Sequence, residues 1–394
     1  MSLSSAEHAA TTSATELNVS PILISQVDSR RDREAFIKFQ WRIYEKDPAW
    51  VPPLILERKE FLNRDNHPFY RHGDAALFLA KRGDEIVGRI MASDDPNYNT
   101  LHQSNVGCFG LFESVDDADV ATALFTAASG WLRHRGRSEM IGPIDYSTNY
   151  VCGLLIDGFD HPPTLLTAHN PTYYARLIEA AGFQKEVDWY AWWFDPKNAP
   201  IERLRRLVDA RTKKTAVQIR SINLRDLVSD SQRLAAVFNQ AWSSNWGFVP
   251  FTEEEAKYMA VEMRPIVDRR MTLIAEVNGA PVAFVICVPD INAALKHING
   301  RLTWFGLPVG LMKLLWNRRK IRNARFVALG VVEKYRRAGI AEALVLRVLE
   351  EGASRGFTAE LSMTLEDNIM VNRFIETMGA SKYKTYRIYH CSLE

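Results

Sequence analysis

The stretch FVALGVVEKYRRAGIAEALVLRVLEEGASRGF, residues 326–357, decides the reading of this chain. It opens on an apolar run, Phe326 to Val332, whose β-branched Val327, Val331 and Val332 predict a strand. A short turn follows from Glu333 to Gly339. Ile340, Leu344, Val345, Val348 and Leu349 then recur at the spacing of one helical face. The first amides of a helix have no partner within it, and the helix dipole is positive at that end. Gly339 and Ala341 leave room for a ligand to reach the amides of Ala338 through Ala341, Ile340 included, and Arg336 and Arg337 add charge. These features predict a pyrophosphate site. It is not a nucleotide P-loop, since no Gly-Lys-Ser/Thr follows, and it lacks the three glycines of the dinucleotide fingerprint.

The order strand, Arg336-x-x-Gly339-x-Ala341, helix resembles the acyl-CoA loop of the GCN5-related N-acetyltransferase (GNAT) superfamily. The resemblance implies that the loop amides hold the CoA pyrophosphate and that the strand near Val331 and Val332 bonds the pantetheine arm. It also implies a strand over Thr358–Leu365, then a helix opened by Asn368 beside the cofactor and closed by Gly379. Two family features are missing. Ile375 stands where many relatives carry a Tyr that protonates the departing thiolate, and Arg325 where some carry a Glu base.

At 394 residues the chain has room for two or three domains. A net charge of +2 gives no support to nucleic-acid binding. Cys108, Cys152, Cys287 and Cys391 are scattered without a CxxC pair, which suggests neither a disulfide framework nor a metal site and fits a reducing, cytoplasmic setting. Residues 1–20, rich in Ser, Thr and Ala, read as a disordered tail.

The sequence repeats itself. WVPP (50–53) matches FVPF (248–251), FLAKRGDEIVGRI (78–90) matches LIAEVNGAPVAFV (273–285), and RLIEAAGF (176–183) matches RFIETMGA (373–380), at nearly constant offset. The expected fold class is α/β (α+β): two tandem GNAT-like domains, each a mixed, mostly antiparallel sheet flanked by helices. The first is expected at 21–195, a linker at 196–214, and the second at 215–394. Where the second copy has its glycine loop, the first has Glu113, Asp116, Asp117 and Asp119, which would repel a pyrophosphate. CoA is therefore expected in the second domain only, with the first shaping the acceptor pocket.

IGPIDYSTNYVCGLLIDGFDHPP (141–163) is polar where a core would be apolar. It is either a loop closed by Asx and Ser/Thr turns or a loop aimed at the domain junction. Its Tyr146 and Asn149, with His169 nearby, are candidate acceptor-site residues, as are Asn292, Asn299 and Arg301 in the segment 288–302. An amine acceptor must lose a proton during attack, so a carboxylate near the thioester is expected. Asp290 and Glu366 lead, with Asp145 third. TWFGLPVGLMKLLWNRRKIR (303–322) is apolar and then cationic. It suits either an interfacial helix on anionic lipid or a buried helix with a solvated basic end.

DPAWVPPL (47–54), the 141–163 segment, NPTYYARLIEAAGF (170–183), LEDN (365–368) and YKTYRIY (383–389) together resemble a bacterial tandem-GNAT group that includes ceramide synthases. That resemblance implies an acyl-CoA-dependent N-acyltransferase. Its substrates would be a long-chain acyl-CoA and a sphingoid amine, at the inner face of the cytoplasmic membrane. Acetyl transfer to a small amine and Fem-like transfer from aminoacyl-tRNA are the alternatives.

Overall fold

The computed structural model describes residues 20–212 and 216–393; the tail expected at 1–20 lies almost wholly outside them. The N-terminal half carries strands β1 (Ile22–Gln26), β2 (Asp74–Arg82), β3 (Glu85–Asp94), β4 (Val106–Ser114), β5 (Glu139–Gly142), β6 (Leu154–Asp157) and β7 (Gln184–Phe194). The C-terminal half carries β8 (Val217–Ser221), β9 (Thr272–Val277), β10 (Ala280–Pro289), β11 (Asn323–Val331), β12 (Thr358–Leu365) and β13 (Ser381–Ser392). The expected strand at 358–365 keeps its bounds, and the expected strand at 326–332 begins earlier, at Asn323.

Local chemistry accounts for the repeated hairpin. Asn278 and Gly279 both adopt positive φ, 51° and 78°, between Val277 and its partner Ala280. Two positive-φ residues make the primed turn whose twist matches an antiparallel pair. Strand alternation then sends side chains to two layers. Leu273, Ala275, Ala283 and Val285 pack on Ile340, Leu344 and Val348 of the helix Ile340–Ser354. Ile274 and Phe284 pack on Leu227, Leu234 and Val237 of the helix Leu227–Ala241, on the opposite face.

All thirteen strands belong to one sheet; twelve run in the order β1-β2-β3-β4-β5-β13-β7-β12-β11-β10-β9-β8, and β6 branches off that order by pairing with β13. The chain's last strand, placed by sequence in the C-terminal unit, hydrogen-bonds β5 and β7 of the N-terminal half. In exchange, β7 runs antiparallel to β12. The two halves therefore swap their final strands across the middle of the sheet.

Each half also contains a parallel pair that parts after a few residues. β4 and β5 pair only over Val106–Cys108, and β11 and β12 only over Asn323–Phe326. Beyond those points each pair splays into a V. The halves differ in where they are lengthened. The C-terminal half has residues 290–322 between β10 and β11, where the N-terminal half has only 95–105. The N-terminal half has 143–173 between β5 and the helix Tyr174–Ala180, where the C-terminal half has only 366–368.

Candidate functional site

Both long insertions border one cavity of about 1390 Å³ between the halves. Its walls are mostly apolar, with Trp50, Phe61 and Leu166 from the N-terminal half and Phe238, Phe284 and Met378 from the C-terminal half. Few polar atoms interrupt them. Asn149 Nδ2, His169 Nδ1, Trp189 Nε1 and Gln40 Oε1 belong to lining residues, are buried, and have no hydrogen-bond partner among the described residues. A large apolar cavity with a few unpaired polar groups is the usual form of a ligand site.

The C-terminal V opens on this cavity. Val331, Leu329 and Ala328 of β11 and Thr364 and Leu365 of β12 line it. Along an antiparallel strand, successive residues direct their backbone groups alternately to the two sides. The amide of Val332 donates to Val282 O at 2.9 Å, toward β10. That removes Val332 from the expected pantetheine contacts and turns the backbone of Val331 toward the open V. Gly339 stands at the N-cap of the helix Ile340–Ser354 with φ 76°, and no side chain caps that end. A Cβ at Gly339 would sit 2.6 Å from Arg211 Cβ, because the helix Ile201–Thr212 lies against the turn; Arg211 also pairs with Glu342 at 2.5 Å. Arg336 donates to Ala241 O at 2.9 Å and reaches the cavity, and Arg337 is exposed. Ala338, Ile340 and Ala341 lie at the turn and in the first helical residues, outside the cavity lining. Asn368 caps the helix Ile369–Thr377, accepting from the Val371 amide at 3.4 Å, and borders the cavity.

The N-terminal V is filled by its own chain. Ile144 N donates to Phe109 O at 2.7 Å, and the Leu111 amide donates to Asp145 Oδ1 at 3.0 Å. A Cβ on Gly110 would meet Ile144 O at 2.3 Å. Glu113 accepts from Tyr44 OH at 2.9 Å, Tyr174 OH at 2.7 Å and Gln40 Nε2 at 3.0 Å, with Arg89 at 3.4 Å. Asp117 caps the helix Ala118–His134 by accepting from the amides of Asp119 and Val120.

The three expected acid–base carboxylates have other partners. Asp290 does not border the cavity. Its oxygens accept from the amides of Leu165 at 2.9 Å and Asn292 at 3.2 Å and from Asn323 Nδ2 at 2.7 Å. It holds the 143–173 insertion to the C-terminal half, and burial pushes its carboxyl up to about 6. Glu366 also lies off the cavity, accepting from Lys185 Nζ at 2.7 Å and the Asp188 amide at 3.0 Å. Asp145 does line the cavity, and burial raises it to about 6.

Tyr146 is likewise turned away from the cavity. It is fully buried in the N-terminal core, where its hydroxyl donates to Phe61 O at 2.8 Å. Asn299 accepts from Trp41 Nε1 at 2.7 Å, Arg301 lies over the Trp304 ring, and neither lines the cavity. Asn292 lines it while donating to Pro163 O at 3.0 Å. His169 is the residue of this set best placed for chemistry. Its Nε2 lies 2.7 Å from Asp47 Oδ2, its Nδ1 is unpartnered, and burial lowers its basicity against the pull of Asp47. The carboxylate fixes the proton on Nε2 and leaves the Nδ1 lone pair free.

Two features were missed by sequence reasoning. Asp47 stands in DPAWVPPL, a quoted run, but nothing in its spacing points to His169. The other is a buried charge cluster at the base of the C-terminal V. Glu360, 0% exposed, accepts from Thr164 Oγ1 and Ser362 Oγ, each at 2.6 Å, and from Tyr383 OH. Arg325 donates to Ser362 Oγ at 3.0 Å and to Leu165 O. Lys384, 1% exposed, lies 3.8 Å from Glu360 and donates to Pro162 O at 2.8 Å. Arg325, standing where some relatives carry a Glu base, is thereby tied into the joint between the halves.

The comparisons with known proteins agree with this geometry. Residues 232–380 match the Acetyltransferase (GNAT) family. Over 92% of its length the chain is 38% identical to Protein YghO of Escherichia coli strain K12, covering 93% of that protein. Over 93% of its length it is 34% identical to the bacterial ceramide synthase of Caulobacter vibrioides, covering 96% of that protein. Among solved structures, a tandem GNAT protein from the clavulanic acid biosynthesis pathway shares the fold at a TM-score of 0.56 and 12% identity, over 95% of this chain and 99% of that one.

Proposed function

Since this chain belongs to the GNAT acyltransferase family, in the tandem branch that includes bacterial ceramide synthase, we propose that it joins a long-chain acyl group from acyl-CoA to the amino group of a sphingoid-type base at the inner membrane surface. The observation that carries this reading is the apolar cavity of about 1390 Å³ continuous with the C-terminal V. That is larger than the roughly 300–1,000 Å³ of a typical drug-sized site, and an acetyl group with a small polar amine would leave most of it unfilled.

In this reading the turn at Arg336–Ala341 and the uncapped helix start hold the pyrophosphate, and the backbone at Val331 holds the pantetheine. The amine attacks the thioester carbonyl directly. The carbon–nitrogen bond forms, the carbon–sulfur bond breaks, and CoA leaves as the thiol. No thiol is primed to intervene, since burial pushes all four, Cys108, Cys152, Cys287 and Cys391, up. His169 Nδ1, braced by Asp47, takes the proton that the amine loses and yields it to the departing sulfur, which completes the thiol. Leu165, four residues before it, touches Arg325 at the base of the V, so His169 lies within about 14 Å of that point by chain reach. Asp145 is a further carboxyl on the cavity wall that burial pushes up, to about 6.

The decisive assay follows free CoA from palmitoyl-CoA or acetyl-CoA, with and without a sphingoid amine. Release from the long donor only when the amine is present supports the proposal. Equal or faster turnover of acetyl-CoA with a small amine would replace it by the short-chain reading.

A further inference from the structure

The segment 303–322, which the sequence left as either buried or interfacial, is mostly exposed, with only Gly310 and Ile321 buried. The helix Val309–Arg318 and the turn before it present Phe305 at 100% exposure, Leu307 and Trp316 at 62%, and Met312 at 58%. The helix Ile369–Thr377 adds Met370 at 84%. Scattered apolar residues on a surface are ordinary, but a contiguous run of large ones marks an interaction site. The same two helices form part of the cavity wall. Leu311 and Leu315 on one, and Met370, Val371 and Phe374 on the other, are at once exposed and cavity-lining. The cavity therefore meets solvent between two apolar helices. Lys313, Arg318, Arg319, Lys320 and Arg322 are all exposed, and none forms an ion pair among the described residues. No Asp or Glu occurs anywhere in 303–322.

We propose that this face docks on an anionic bilayer and that the gap between the helices Val309–Arg318 and Ile369–Thr377 is a lateral portal through which a membrane-resident lipid enters the cavity. The docking itself stands on the exposed apolar and cationic groups; the portal rests on the reading of the cavity as a lipid site. Apolar side chains at the level of the acyl chains with unpaired cations at the headgroups are the pattern of an interfacial element. No helix among the described residues is long and apolar enough to cross a membrane, so the contact would be made from one side. A second copy of the chain is the weaker occupant, because five unpaired cations facing five more would repel.

The test is co-sedimentation of the whole protein with vesicles of phosphatidylglycerol and phosphatidylcholine, or of phosphatidylcholine alone. Partitioning onto the anionic vesicles is expected to be at least about tenfold higher and to fall with salt. Phe305→Glu with Met312→Glu, both off the cavity wall, should lower that partitioning by at least about tenfold. The same variant should keep wild-type turnover of acyl-CoA and amine presented in detergent micelles, and lose it when the amine is embedded in vesicles. Equal affinity for both vesicle types, no vesicle binding, or a dimer dispersed by the variant would each overturn the docking face. Vesicle binding without any acyl transfer would leave the docking face standing and overturn the portal, together with the proposed reaction.

Discussion

The helix that begins at Ala118 and the helix that begins at Ile340 hold the same position in the two halves, each following the strand that opens a V. The first is closed by its own side chains. Asp117 takes its leading amides, Asp145 takes the Leu111 amide in the V, and Glu113 gathers Tyr44 and Tyr174 at the strand's end. The second has a positive-φ glycine and no cap, and its V gives on to the cavity. On the proposed reading, one plan became a wall and the other stayed a cradle, and the difference consists of a few carboxylates that take the amides and hydroxyls of the first half.

The largest effect should come from the cavity's shared chemistry. His169→Gln is expected to lower kcat by about 10²–10⁴ while acyl-CoA affinity stays within twofold, and an unchanged kcat would return the proton to Asp145. Next is the buried joint that both halves need. Glu360→Ala strands Arg325 and Lys384 and should cost about 3–5 kcal/mol of stability by urea unfolding. Burial alone would raise the Glu360 carboxyl, but Arg325 and Lys384 outweigh it and hold it below the ordinary value. Its contribution is therefore present above the unfolded carboxyl range and lost as pH falls through the folded value. Third, reversing both cations of the open turn, Arg336→Glu with Arg337→Glu, should weaken acyl-CoA binding by about 10–100-fold by calorimetry. The mildest test uncaps the closed helix. Asp117→Ala should cost about 0.5–2 kcal/mol. Its CoA stoichiometry should remain one per chain, and a second site would show that a cap alone separates wall from cradle.

Much of this was legible because local chemistry fixed it. Gly339, the strand at 358–365 and the Asn-Gly hairpin follow from residue types that allow little else. Polarity proved a poorer guide to site residues. Asp290 and Glu366 read as candidate bases because they sit beside strands, but nothing in sequence tells which backbone amides a carboxylate will meet. Lys384 sits inside a strand, and nothing in its residue type announces that Pro162 and Glu360 will enclose it. The exchange of final strands was invisible for a related reason. Periodicity fixes which face of β13 is buried, not which strands border it.

That exchange bears on how the protein is made. Until residues 381–392 leave the ribosome, β5 and β7 have no strand between them, and the N-terminal half must wait half-assembled while the remainder is translated. A nascent chain stalled before Ser381 should hold neither half in protease-resistant form, and release of residues 381–392 should lock both at once.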